Sequence, residues 1–174
     1  MRGLLTIAGS DPSGGAGLQA DLRVFERHGV WGMAVPTALT VQGPGGVRSV
    51  HPVDVELVRA QLLEVLPLAD VVKVGMCGTG AVARMLAREL LGARVVLDPV
   101  LVSSSGHLLL DEPEALLELA AICELVTPNQ PEALALPGLL QAPAVLLKGG
   151  HGSGATVLDE LLGVAVFERP RLEG

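Results

Sequence analysis

Apolar residues recur along the chain in two alternating rhythms. Short unbroken runs at 4–8, 33–42, 71–75, 94–98, 124–127 and 144–148 predict buried strands. Between them lie helical patterns. Leu18, Leu22 and Phe25 share one face, and Val55, Val58, Leu62 and Val65 form a stripe over 54–65. Two further helices are predicted over 81–91 and 111–121, the latter opened by Asp111-Glu112-Pro113, with proline in the first turn. His28-Gly29 supplies a helix stop, and Gly43-Pro44-Gly45-Gly46 reads as a flexible loop. The tail alternates over 156–159 and 164–167 about Gly163, which predicts a closing hairpin. Strands alternating with amphipathic helices predict an α/β protein whose parallel sheet is covered by helices on its faces.

Composition narrows this frame. The 174 residues predict a single domain, and 49% hydrophobic residues can bury a substantial core. Phe25, Trp31 and Phe167 are the only aromatic residues, so that core is aliphatic. A net charge of −7 argues against nucleic acid or an anionic membrane as partner. An anionic substrate then needs a local positive site. Cys77 and Cys123 form neither a C-x-x-C nor a metal-ligand spacing and read as buried free thiols of a reducing compartment. With no apolar run long enough to span a bilayer, the expectation is a cytoplasmic protein.

The candidate chemistry gathers around residues 9–17, Gly-Ser-Asp-Pro-Ser-Gly-Gly-Ala-Gly, between the first strand and the first helix. Four glycines let the backbone lie against a ligand, and the N–H groups at the helix start are expected to favour an anion or a polar group. Asp21, one turn into the helix, is expected to look back over the pocket. No G-K-[ST] follows, so this is no P-loop. Residues 15–20 fit G-x-G-x-x-A, but no acidic residue occurs between Glu26 and Asp54 to hold a ribose.

In parallel α/β sheets ligands bind beyond the carboxyl ends of strands. Gln42, Gly75-Met76, Asp98, Asn129 and Lys148-Gly149-Gly150 occupy such ends. The Gln42 amide could pair with an aminopyrimidine or simply be solvated. Asp98 could meet a magnesium-phosphate group or cap the following turn. Asn129-Gln130-Pro131-Glu132 favours a helix cap on spacing alone. Lys148 could meet phosphate oxygens or water. His107 and His151 fall in loops, with no nucleophile or metal spacing beside them.

Taken together, residues 8–21 (A-G-S-D-P-S-G-G-A-G-L-Q-A-D) resemble the amino-terminal signature of the hydroxymethylpyrimidine and phosphomethylpyrimidine kinases, ribokinase-like members of the thiamine pathway. The strings at 37–42 (T-A-L-T-V-Q), 73–76 (K-V-G-M), 96–100 (V-L-D-P-V), 127–133 (T-P-N-Q-P-E-A) and 147–151 (L-K-G-G-H) are similar to the family's later motifs, in order. The resemblance implies a three-layer α/β/α ribokinase-like fold with a mostly parallel central sheet. It implies ATP-dependent phosphorylation of hydroxymethylpyrimidine or its monophosphate. By the same resemblance Gly9, Ala16, Asp21, Gln42, Met76 and Val100 hold the pyrimidine. Asn129, Lys148 and Gly150 face ATP, while Asp98 and Glu132 serve Mg2+.

Three departures accompany it. The segment between Glu132 and Lys148 is short, residues 103–107 (S-S-S-G-H) replace a stretch that carries a lysine and an aspartate in the family, and no H-G-T-G-C-T loop occurs before Gly174. That loop supplies the family's anion hole and base, so the fold is expected to lack its C-terminal part and the catalytic residue stays unassigned. The expectation alongside the kinase is a non-catalytic pyrimidine-binding protein, and a homodimer is expected to cover the apolar face so exposed.

Overall fold

A computed structural model describes residues 3–103, 106–150 and 154–171. The strands β1 (Gly3–Ser10), β2 (Trp31–Gly43), β3 (Gly46–Pro52), β4 (Val71–Val74), β5 (Val95–Leu97) and β6 (Leu125–Val126) form one sheet in the order β3-β2-β1-β4-β5-β6. Every pairing is parallel except the β2–β3 hairpin. Strand β7 (Leu146–Leu147) lies in a segment that runs parallel beside β6, bridged at Val126–Val145 and Asn129–Lys148. Its other side pairs antiparallel with β8 (Thr156–Leu161), which in turn pairs with β9 (Ala165–Pro170).

Period-two alternation sorts the sheet's side chains to its two faces. Leu5, Ile7, Val35, Val72, Val74, Val95, Leu97 and Val126 enter one aliphatic core. That core is closed by Val58 and Leu62 of α2 (Val55–Val65), Val82, Ala83 and Leu86 of α3 (Gly80–Glu89), and Leu116 and Leu119 of α4 (Ala115–Ala120). A fully buried leucine such as Leu62 or Leu86 contributes about 1.5–3 kcal/mol. Thr6, between Leu5 and Ile7, points the other way and meets Asp21 of α1 (Gly17–Arg27). Helix α1 therefore covers the opposite face, which makes the three layers. No described helix is long and apolar enough to cross a membrane.

Two expectations are corrected. Residues 43–46 are not a flexible loop: Gly43 pairs with Gly46, so Pro44-Gly45 is the tight turn of a hairpin leading into the unpredicted strand β3. That strand has no buried residue and so carries no apolar run. Helix α4 starts at Ala115, later than predicted, because Asp111 serves another element: its Oδ1 accepts the backbone N–H of Gly80 at the start of α3. The short α5 (Gln130–Ala135) and a 3-10 turn over Pro137–Gln141 fill the abbreviated segment before β7.

The chain leaves β1 for β2 on one side and later returns to β4 on the other, so the strand order reverses at β1. Such a switch point leaves a crevice beyond the carboxyl ends of the strands, where open α/β sheets bind ligands.

Candidate active site

At this switch point the loop after β1 is folded around its own aspartate. Asp11 is 3% exposed, and its Oδ1 accepts the Ser13 N–H and hydroxyl at 2.9 and 2.7 Å. Its Oδ2 accepts the N–H groups of Gly15 and Ala16 at 3.0 and 2.9 Å. Burial pushes this carboxyl upward, but the hydrogen bonds from Ser13, Ala16 and Gly15 outweigh it and hold it below its ordinary value. Gln19 completes the loop by accepting the Asp11 N–H and donating to Ser10 Oγ. The N–H groups of Gly15 and Ala16, just ahead of the helix start, are thus spent on Asp11. Gly17 has φ +57°, and a side chain there would strike the Gly9 carbonyl.

A first cavity of about 320 Å³ opens against this loop. Gly9 and Ala16 form its rim, Gln42 and Val47 come from the β2–β3 hairpin, and Lys73, Gly75 and Met76 come from β4 and its end. Val100, Val102, Ser103 and Leu109 close the far side. Ala38, Met76 and Leu109 form a small apolar cluster, with Val47, Val50 and Val100 packed on it. Gly9 is tight against Met76, since a Cβ there would stand 2.9 Å from the thioether sulfur. The Gln42 amide is loosely held: its described partner is the Thr40 hydroxyl at 3.4 Å, which also donates to the Ser10 carbonyl at 2.9 Å.

A second cavity of about 510 Å³ adjoins it, lined by Asn129, Pro131, Glu132 and Lys148. Asp98, Val100, Val102 and Ser103 line both, so Asp98 stands at the junction. Its Oδ1 accepts Lys148 Nζ at 2.6 Å, a partner that neither reading of Asp98 from the sequence named. The cap read at residues 129–132 is present in full: Asn129 Oδ1 accepts the Glu132 N–H and Glu132 Oε2 accepts the Asn129 N–H, both at 2.8 Å.

Nine of the residues singled out from the sequence therefore converge: Gly9, Ala16, Gln42, Met76, Val100, Asp98, Asn129, Glu132 and Lys148. Two do not line either cavity. Asp21 lies behind the first, where its Oδ2 accepts Thr6 Oγ1 at 2.6 Å and Lys73 Nζ at 2.8 Å. Gly150 lies beyond β7, and its carbonyl accepts Arg171 Nη1 at 2.7 Å. Lys73, though inside the family-like string 73–76, and the 101–109 segment were given no individual role from the sequence; a lysine inside the apolar run V-V-K-V was the available signal for the first, and the departure at 103–107 for the second. Ser104, Ser105, His151 and the start of the 151–156 stretch lie outside the described residues. Among the described residues no group of three or more His, Cys, Asp or Glu is placed to hold a metal ion.

A mostly parallel three-layer α/β/α sheet whose strand ends open into two adjoining cavities defines a ribokinase-like protein. The family profile of phosphomethylpyrimidine kinase matches residues 11–173. The chain is 41% identical to the hydroxymethylpyrimidine/phosphomethylpyrimidine kinase of Rhizobium meliloti over 89% of its length and 68% of that protein's. It is 40% identical to the thiamine biosynthesis multifunctional protein ThiED of Corynebacterium efficiens, over 87% of this chain and 24% of that longer protein. Among solved structures it superimposes on an ADP complex of Bacillus subtilis pyridoxal kinase with TM-score 0.85 and 29% identity, covering 100% of this chain and 76% of the other. The chain belongs to the phosphomethylpyrimidine kinase family.

Proposed function

We propose that the chain carries out ATP-dependent phosphorylation of 4-amino-5-hydroxymethyl-2-methylpyrimidine, or of its monophosphate, in thiamine biosynthesis. The observation that carries this reading is the junction: a mostly apolar cavity with one loosely held amide meets a second, more polar one at a carboxylate. The Gln42 amide can donate to a ring nitrogen and accept from an exocyclic amine, the pattern an aminopyrimidine presents. Met76 and Val100 supply apolar walls, and Gly9 and Ala16 let the backbone approach. Asp21 contributes from behind, through Lys73.

On the other side, Asn129 and Lys148 face the nucleotide, with Gly150 following on the same strand end. The similarity to an ADP-bound kinase supports ATP as the phosphoryl donor. Asp98 fits a magnesium ligand, because Mg2+ is usually held by one or two carboxylates together with phosphates and water. The ion would neutralise phosphate charge there. Glu132, committed through Oε2 to its helix cap, would assist from the rim. Phosphoryl transfer is mostly positioning and charge stabilisation, which suits this ring of groups. A cytoplasmic setting agrees with two free, buried thiols. A homodimer belongs to the same proposal, supported by exposed apolar residues on the β8–β9 hairpin such as Leu158, Val166 and Phe167.

Calorimetric titration tests the substrate. The aminopyrimidine is expected to bind at least about tenfold more tightly than pyridoxal, and Gln42→Ala to weaken it by about tenfold or more, as the loss of a paired polar contact does. Tighter binding of pyridoxal, or an aminopyrimidine affinity indifferent to Gln42→Ala, would overturn the assignment.

A further inference from the structure

Each cavity has a lysine of its own. Lys73 lines the first and not the second, Lys148 lines the second and not the first, and each is paired with an aspartate. A cation beside the nucleotide phosphates is ordinary; a cation in the cavity for an uncharged hydroxymethylpyrimidine is not. The Lys73 side chain is 26% exposed and rises from β4 toward the strand ends. It passes over Gly75, where a Cβ would stand 2.9 Å from Nζ, so the missing side chain leaves the space the ammonium occupies. The ammonium carries three donors. Its described partner is Asp21 Oδ2 at 2.8 Å, an oxygen that Thr6 Oγ1 already serves at 2.6 Å. Anchoring α1 to β1 thus does not require the lysine.

We propose that Lys73 binds the phosphoryl group of a phosphorylated aminopyrimidine in the first cavity and sets the preference for that monophosphate over the free alcohol. The inference rests on the kinase reading above. The phosphate concerned is the substrate's own, because Lys73 is absent from the lining of the cavity assigned to the nucleotide. Asp21 is then a positioning residue: it holds the ammonium in place when the alcohol is bound and competes for it when a phosphate arrives.

The test is calorimetric titration of the full chain with 4-amino-5-hydroxymethyl-2-methylpyrimidine and, separately, with its monophosphate. Lys73→Met is expected to lower the ratio of monophosphate to alcohol affinity by about tenfold to a hundredfold, the scale of a lost charged hydrogen bond. Asp21→Asn is expected to raise the same ratio, since the ammonium keeps its charge and loses its carboxylate. A purely structural ion pair predicts instead that both substitutions weaken both ligands in parallel, and that result would overturn the inference. If circular dichroism shows that Lys73→Met does not fold, Asp21→Asn decides alone: a raised ratio supports the role, and an unchanged or lowered ratio refutes it. A wild-type ratio below one with the alcohol bound normally would remove this inference and leave the kinase reading standing. Failure of the wild type to bind either ligand would remove both.

Discussion

Asp11 pays for its burial with hydrogen bonds, and the balance makes a testable prediction. Its carboxyl is held below the ordinary value of 3.8, so ionised Asp11 stabilises the fold above that pH, and the contribution is lost as pH falls through the lowered folded-state value. Asp11→Asn keeps the size but cannot accept the same set of N–H and O–H donors. It is expected to cost about 1–3 kcal/mol at pH 7, measured by urea unfolding, and less in strong acid, where the wild type loses the same interaction. Equal stability of the two proteins at pH 7 would contradict this account of the loop. The sequence marked this loop as the centre of the site but not its internal logic. A string of glycines reads as open backbone, whereas here Asp11 takes up the N–H groups of Gly15 and Ala16. Lys73 escaped assignment for a related reason: its partner Asp21 is 52 residues away, and only the fold brings them together. The cysteines needed no such information. Burial pushes the Cys77 and Cys123 thiols up to about 12, which fits the inert free thiols expected of them.

Elements were legible where their apolar pattern was continuous. Strands β1, β2, β4 and β5 and helices α1, α2 and α3 fall where the runs and stripes placed them, because buried faces enforce their period. Strand β3 has no buried residue, and its Val47 and Val50 pack on a cluster assembled from β2, the end of β4 and the 101–109 segment. No local pattern encodes that partner. Asp111 was misread because a helix cap from another segment looks like a cap for the nearest one. The β8–β9 hairpin was expected and is present, and its outer strand makes its own prediction. Strand β9 has an outer edge unpaired among the described residues, and it carries Val166 and Phe167 at 62% and 53% exposure. Apolar edges of this kind recruit a second strand. Sedimentation is expected to find a dimer, and Val166→Lys on this edge to shift it toward monomer. A well-behaved wild-type monomer would contradict the proposed homodimer.

At the scale of the whole molecule, the site follows from topology. Reversal of strand order at β1 opens the crevice, the carboxyl ends of β1, β4 and β5 bring Gly9, Met76 and Asp98 to it, and the segment after β6 adds Asn129 and Lys148. The order of the family-like motifs along the chain made this convergence readable, since each lies at a strand's carboxyl end. What they could not convey is the division into two cavities that share Asp98. The account stands on that division: pyrimidine and nucleotide must be able to occupy the protein together. The most direct measurement is calorimetric titration of 4-amino-5-hydroxymethyl-2-methylpyrimidine into the chain, first alone and then saturated with magnesium and a non-hydrolysable ATP analogue. One pyrimidine is predicted to bind per chain in both titrations, with the nucleotide still bound. Displacement of one ligand by the other would mean a single shared site and would contradict the account.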